Sequence, residues 1–270
     1  MQRHQHDAKA AVIGGAGGFF AGLTGVGGGA VLVPLLVGLL RMGQHRAHGT
    51  SLAVIAMSAF AGSLTYARTT SIDWRLAGAV LPSALAGAAI GATFVHRIPA
   101  AQLRGLFGGF LMLVAARMML PEGGTVAAAD GLWRLLLGGG IGLAGGMLSG
   151  ALGVGGGAIF VPALVLLFGE SQHAAQGTSL VVILPTAVAG TVTHWRHRSV
   201  DGRTAVWLGA GAVPSSAAGA AVASSLRADV LQRGFAAVLL AVGLQMLRSG
   251  WRAARTPAAQ VEGAPTHDAG

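Results

Sequence analysis

The segment 11–40 runs for thirty residues without an Asp, Glu, Lys or Arg, yet four of the six residues at its middle, 25–30, are glycine. Crossing the roughly 30 Å hydrocarbon core of a bilayer takes about 20 apolar residues of helix, so this length predicts a membrane segment. A glycine inside a helix costs roughly 1 kcal/mol relative to alanine. The run Gly25-Val26-Gly27-Gly28-Gly29-Ala30 therefore predicts a break, and backbone freed at membrane depth must find partners or line a cavity. The same run returns 128 residues later as Gly153-Val154-Gly155-Gly156-Gly157-Ala158. Paired breaks in the two halves of a chain are how many transporters build a midplane substrate site.

Composition agrees. Only 10% of the 270 residues are charged, against about 25% in soluble domains, and the mean hydropathy is +0.65. These values predict a polytopic integral membrane protein. A net charge of +9 would suit nucleic acid in a soluble protein, but here the arginines lie singly or in pairs between apolar segments, where the positive-inside bias accounts for them. Nucleic acid is not an expected partner. There are no cysteines, which excludes disulfides and thiolate metal sites. The glycine runs lack the GK[ST] ending of a phosphate loop, no H-E-x-x-H is present, and no paired carboxylates lie within an apolar segment. No enzyme, metal site or cofactor is called for.

The glycine run belongs to a longer internal repeat. Residues 14–75 and 142–203 share 33 of 62 positions at the constant offset of 128. The matches include Val33-Pro34 with Val161-Pro162, Gly49-Thr50-Ser51-Leu52 with Gly177-Thr178-Ser179-Leu180, Arg68 with Arg196, and Asp73 with Asp201. The expected fold is all-α: a polytopic transmembrane helix bundle of two homologous four-element repeats with glycine-broken first helices. The division is a cytoplasmic N-terminal segment 1–10, membrane repeat 1 over 11–120, a linker 121–132, membrane repeat 2 over 133–250, and a disordered tail 251–270. The elements fall at 11–40, 49–67, 76–95 and 104–120, then 133–168, 177–195, 204–225 and 233–250.

Whether the broken element crosses the membrane sets the topology. If it crosses, the repeats are parallel; if it dips in and returns, they are inverted. Both arrangements put 12 of the 18 Lys and Arg on the side of the N-terminus, which makes that side, with the C-terminus, cytoplasmic. Matching loops drift apart in charge: 41–48 carries Arg41 and Arg46, whereas 169–176 has no basic residue and includes Glu170. That drift favours inversion.

The helix that starts beyond each break aims its N-terminal N–H groups and positive dipole end into it, which attracts anions without any Lys or Arg. Val33-Pro34 and Val161-Pro162 fit a first turn, where a missing N–H is no loss. Gly14, Gly18 and Gly22, like Gly142, Gly146 and Gly150, have small-xxx-small spacing for close helix packing. Thr50-Ser51 and Thr178-Ser179 open the second helix of each half as N-caps, and their hydroxyls can also hydrogen-bond an oxyanion beside the break. Arg68, Arg196 and Trp195 suit interfacial anchors; His194 is either structural or a carrier of a coupling proton, with Arg68 and Arg196 as gating candidates. His45 and His173, beside Gln44 and Gln172, suggest a shared capping or lining job, and Asp73 and Asp201 pair with Arg75 and Arg203 or cap the next helix.

The doubled G-x-G-G-G-x(3–4)-P, the G-T-S-L some 15 residues after it, and the downstream Arg and Asp-x-Arg together resemble the sulfite exporter TauE/SafE family, also called the 4-toluene sulfonate uptake permease family. The resemblance covers residues of about 10–250. It implies a membrane transporter of sulfur-containing anions, with Gly25, Gly27, Gly28, Gly29, Thr50 and Ser51, and Gly153, Gly155, Gly156, Gly157, Thr178 and Ser179, lining the substrate path. The two halves differ at Tyr66-Ala67 against His194-Trp195.

The expected function is a secondary transporter of small oxyanions, sulfite or organosulfonates, working by alternating access in the bacterial inner membrane. Its partners are a small anionic solute and the lipid bilayer, with room for a homo-oligomer. Rival readings are a passive anion channel and a non-transporting membrane subunit of a larger complex.

Overall fold

The computed structural model describes residues 2–70, 72–94, 100–120, 131–152 and 155–255. Gly153, most of the expected linker and the tail from 256 lie outside the described residues. Among these, the regular elements are ten helices: α1 (Gln2–Thr24), α2 (Gly29–Gly38), α3 (Gln44–Thr69), α4 (Trp74–Phe94), α5 (Ala100–Met119), α6 (Leu132–Leu152), α7 (Gly157–Phe168), α8 (Gln172–Arg196), α9 (Gly202–Ser225) and α10 (Ala228–Arg255). Six of them are long and apolar enough to cross a membrane by length and composition: α3, α4, α6, α8, α9 and α10. The outer surface is apolar as well, with Leu106, Val12, Leu113 and Leu132 each at least 70% exposed. A surface of this kind is stable in lipid and a liability in water.

Both first elements break where the glycines predict. Helix α1 ends at Thr24 and α2 starts at Gly29, because Gly25, Gly27 and Gly28 hold φ of 70°, 91° and 76°, a left-handed region that residues with a Cβ rarely enter. Gly155 and Gly156 repeat this at 95° and 66°. The chain then doubles back. Leu32, four residues beyond Gly28, packs its side chain on Gly17, and Phe160 lies over Gly145 in the same way. Thus α2 runs back along α1, and α7 along α6.

Helix starts differ from the sequence reading by a turn or so. Helix α1 reaches back into the polar segment 1–10, where Asp7 accepts a hydrogen bond from Arg203 at 2.8 Å. Helices α3 and α8 begin at Gln44 and Gln172, each five residues before the expected start. Gly43 and Ser171 are therefore their N-caps, and Thr50-Ser51 and Thr178-Ser179 sit in the second turn rather than capping. The prolines are likewise deeper than expected: Pro34 and Pro162 are each the sixth residue of α2 and α7. Their missing N–H leaves the carbonyls of Ala30 and Ala158 without an i+4 donor.

Small residues let the helices meet backbone to backbone. Gly14, Gly18 and Gly22 of α1 lie against the carbonyls of Leu208, Ala212 and Ser216 of α9, so these helices run parallel. Gly142, Gly146 and Gly150 of α6 lie against Val80, Ala84 and Ala88 of α4 in the same sense. At each site a Cβ would overlap the carbonyl opposite, so the expected small-residue packing is present on both faces. Helices α3 and α8 cross the centre antiparallel: Gly49 meets His194, Leu52 meets Gly190, and Gly62 meets Leu180. Helices α5 and α10 are antiparallel too, Gly108 lying on Gly243 and Met118 accepting from Gln232.

These contacts define two ends of the bundle. One end gathers the start of α1, the start of α3 and the loop before α9, through Asp7–Arg203 and Gly49–Ser199. The other gathers the loop before α4, the start of α6 and the loop before α8. There Arg134 Nη2 lies 3.0 Å from Asp73 Oδ2 and 3.4 Å from Glu170 Oε1.

Candidate functional site

The two breaks meet at mid-height of the central helices. A Cβ built on Gly155 would lie 3.1 Å from Val26 O, and one on Gly157 would lie 2.5 Å from Val26 Cα and 2.7 Å from Gly25 O. Ile55 of α3 and Ile183 of α8 close the sides: both approach Gly27, and Ile55 also approaches Gly155. Thus Gly25, Gly27, Gly155 and Gly157 come together in the interior, main chain on main chain, with Gly28 and Gly156 behind them holding the turns. Gly29 and Gly157 begin α2 and α7. At their starts Gly157 N donates to Gly155 O at 2.7 Å, and Val31 N and Ile159 N donate to Gly28 O and Gly156 O. The other first-turn N–H groups have no carbonyl a turn earlier to bind, and both helices are long enough to carry a dipole. Gly153 lies outside the described residues.

The serine and threonine of each G-T-S-L motif part company. Ser179 donates from Oγ to Gly25 O at 3.0 Å, so the second half supplies a hydroxyl to the first half's break. Ser51 donates to His48 O within its own helix. The threonines face the ends of the bundle instead. Thr50 Oγ1 accepts from Asp201 N at 3.0 Å and Thr178 Oγ1 accepts from Asp73 N at 3.2 Å. Both threonines are fully buried, and these bonds pin the loops ahead of α9 and α4. The aspartates themselves cap: Asp73 Oδ1 accepts from Leu76 N and Asp201 Oδ1 from Thr204 N. Their ion-pair partners are not those read from sequence. Asp73 pairs with Arg134, and Arg203 pairs with Asp7.

Arg68 and Arg196 stand exposed at the last turns of α3 and α8, at opposite ends of the bundle, and Trp195 is exposed beside Arg196. His194 is half-buried beside Gly49. His173 reaches the carbonyls of Ala223 and Leu226 at 3.1 Å, tying α8 to the end of α9. Beside Asp73, Glu170 sits in a half-buried acid pair. Burial first, and then the neighbouring Asp73 carboxylate, raise the Glu170 carboxyl above its ordinary value, while Arg134 offsets part of the rise. Among the described residues no three His, Asp or Glu side chains converge on a metal-sized site.

Among the buried polar side chains to which the sequence reading gives no solute role are Tyr66, Gln172 and Gln176. Tyr66 is wholly buried, and its Oη lies 2.6 Å from Gln176 Oε1 and 3.0 Å from Gly22 O. The signal was available, since this is the chain's single tyrosine and it stands in a stretch without charge until Arg68.

Comparison with known proteins matches the chain to a family. The family model described as "Sulfite exporter TauE/SafE" covers residues 1–118 and 138–267. A probable membrane transporter protein of Xylella fastidiosa is 28% identical, over 88% of this chain and 94% of its own. The probable membrane transporter protein YunE of Bacillus subtilis is 27% identical, over 88% and 96%. YdhB of Bacillus subtilis, with the same description, is 30% identical over 68% and 77%. No solved structure matches. A helical bundle with an apolar exterior and paired glycine breaks at its centre, matched along nearly its whole length, belongs to the sulfite exporter TauE/SafE family of multi-pass membrane transporters.

Proposed function

We propose that the protein is a secondary transporter that carries small sulfur-containing oxyanions, sulfite or organosulfonates, across the bacterial inner membrane by alternating access. Its two halves are repeats inverted with respect to the membrane. In this reading α3, α4 and α5 cross, as do α8, α9 and α10, while α1–α2 and α6–α7 are hairpins entering from opposite faces. Helix α6 is apolar enough to span, but its chain returns through α7. The reading is supported by the helix pairs. Exchanging the halves turns the parallel pair α1–α9 into α6–α4 and maps the antiparallel pairs α3–α8 and α5–α10 onto themselves, as a two-fold axis in the membrane plane requires. The end that holds the N-terminus takes 12 of the 18 basic residues and is cytoplasmic.

The observation that carries the proposal is the meeting of the two breaks beside the starts of α2 and α7. The positive ends of two helices start beside that meeting, with Ser179 attached through Gly25 O and Ser51 as its counterpart. Such a site holds an oxyanion by oriented N–H groups and releases it readily, since no fixed cation neutralises it. The breaks touch in this structure, so the loaded state parts them, and the contact is the barrier between the two faces. In this reading His194, Arg196 and Arg68 act on gating rather than on the bound anion, and His194 takes the coupled proton.

Flux in proteoliposomes against sulfite, sulfoacetate, taurine, thiosulfate and sulfate is the test. Saturable uptake that is accelerated by unlabelled anion on the opposite side is the expected result. Flux without counter-transport identifies a channel, and no flux of any of the five removes the anion reading.

A further inference from the structure

The two halves are alike in sequence around the breaks but not in what surrounds the ends of their hairpins. Above the end of α1, on the face opposite the termini, stand Gln172, Gln176 and Tyr66, exposed by 2%, 0% and 0%. Gln172 and Gln176 lie one turn apart on one face of α8, and Gln176 packs against Gly25 of the break. At the other end of the bundle the residues at the matching positions are Gln44, His48 and His194, of which the first is exposed and the others half-buried. One end is therefore closed over amides and a phenol, and the other is partly exposed and carries imidazoles.

The closed mouth has unmet hydrogen-bonding capacity. Neither Nε2 nor Oε1 of Gln172 has a partner, and neither has Nε2 of Gln176. Tyr66 has one proton for two acceptors, Gln176 Oε1 and Gly22 O. Turning the Gln176 amide satisfies Tyr66 but still leaves one atom of that amide alone. Buried amides are almost always paired, and those that are not ask for a cause. A neutral cluster rich in N–H donors, one turn from a break whose own donors are N–H groups, matches the oxygen atoms of an anion.

We propose that Gln172, Gln176 and Tyr66 form an outer subsite that receives the oxygen atoms of a sulfonate or sulfite on the face opposite the termini, before the anion reaches the breaks. The proposal rests on the anion-transport reading above. In the closed state Tyr66 Oη takes the position of an anion oxygen and clamps α3 to α8. In the open state the two Nε2 groups and the Tyr66 hydroxyl turn to the solute. Neutral donors suit a transit site because they select oxyanions without holding them tightly.

The test is the thermal shift given by sulfite, methanesulfonate and sulfoacetate to purified protein in detergent, compared between wild type, Gln172→Met/Gln176→Met and Tyr66→Phe. Gln44→Met is the control at the exposed matching position. Methionine keeps the volume and removes the three unpaired amide atoms. It also removes Gln176 Oε1, after which Tyr66 donates to Gly22 O alone, so without anion the double variant melts close to wild type. Its anion-induced shift falls by more than half, and in vesicles its KM for anion added at the face opposite the termini rises at least fivefold. Gln44→Met behaves as wild type in both. If wild type is shifted by no anion, the transport reading fails. If wild type is shifted and the double variant is shifted equally, the transport reading stands and the outer subsite is refuted, the amides then holding bound water only. If the double variant does not fold, Tyr66→Phe decides by the same two readouts.

Discussion

Gly28→Ala is the sharpest test of the break, because its cost can be assembled from the geometry. Gly28 has φ 76° and ψ −7°, and an alanine held there costs about 1–2 kcal/mol. Its Cβ would stand 2.5 Å from Gly17 O and 3.1 Å from the Ala21 Cβ. Gly17 O is main chain of a helix that is itself locked against α9, so relief requires α1 and α2 to separate. Overpacking of this kind costs about 1–3 kcal/mol, and the sum is about 2–5 kcal/mol. Gly156→Ala meets Gly145 O and the Phe160 ring at 2.9 Å, a smaller overlap than at Gly28, so about 2–3 kcal/mol is expected. Gly38→Ala, with nothing within 4 Å, gains about 0.4–1 kcal/mol through the unfolded state. At about 2–4 °C per kcal/mol for a chain of this size, the order of melting is Gly38→Ala, wild type, Gly156→Ala, Gly28→Ala, with the last lowered by roughly 4–20 °C. Tryptophan fluorescence on heating in detergent reads this directly, since the chain has five tryptophans. A Gly28→Ala protein that melts with Gly38→Ala would show that the left-handed turn and its contact with α1 do not exist as described.

Three further outcomes follow from the same structure. The absence of native cysteine makes single substitutions clean reporters: in intact cells, Ser171→Cys reacts with an impermeant maleimide and Gly43→Cys does not, whereas parallel repeats label both alike. Thr178→Val strands the half-buried Asp73 N–H, which costs about 1 kcal/mol, and lowers the melting temperature while leaving KM for sulfite unchanged; a raised KM with normal stability would return the threonine to the solute path. Glu170 is raised in the folded protein by burial and by Asp73, so the folded state holds its proton at pH values where the unfolded chain has lost it. Stability contributed by this group is present below the ordinary carboxylate value of 4.5 and declines as pH rises through the raised one. Glu170→Gln flattens that decline in a melting-temperature series, and an unchanged series refutes the shift.

Much of the site was legible because glycine has one physical reason to cluster in an apolar segment. Four glycines in six residues cannot pay for themselves as helix, so both breaks could be read before any coordinate, as could the packing stripes at Gly14, Gly18 and Gly22. The helix starts were less legible. Gln44 and Gln172 lie in polar stretches that read as loop; the first turn of α8 is held by a tertiary contact, His173 on the carbonyls of Ala223 and Leu226, rather than by local preference. The threonines of the G-T-S-L motifs were read as companions of the serines because the two are adjacent. On a helix, however, adjacent residues point about 100° apart, and only tertiary packing assigns Ser179 to the break and Thr178 to the Asp73 loop.

Taken alone, the sequence determined that the chain is helical, lies in a membrane, repeats itself and breaks twice, since each of these follows from local composition and spacing. It carried the family as well, through motifs that are contiguous. The tertiary structure decided which way α2 and α7 turn, that the breaks from the two halves touch, and that Tyr66 and two glutamines close one mouth. The last two depend on residues 100 or more positions apart meeting in space, and the first on contacts across the turn, Leu32 on Gly17 and Phe160 on Gly145; a linear pattern holds no information on how far a chain bends once a glycine has released it.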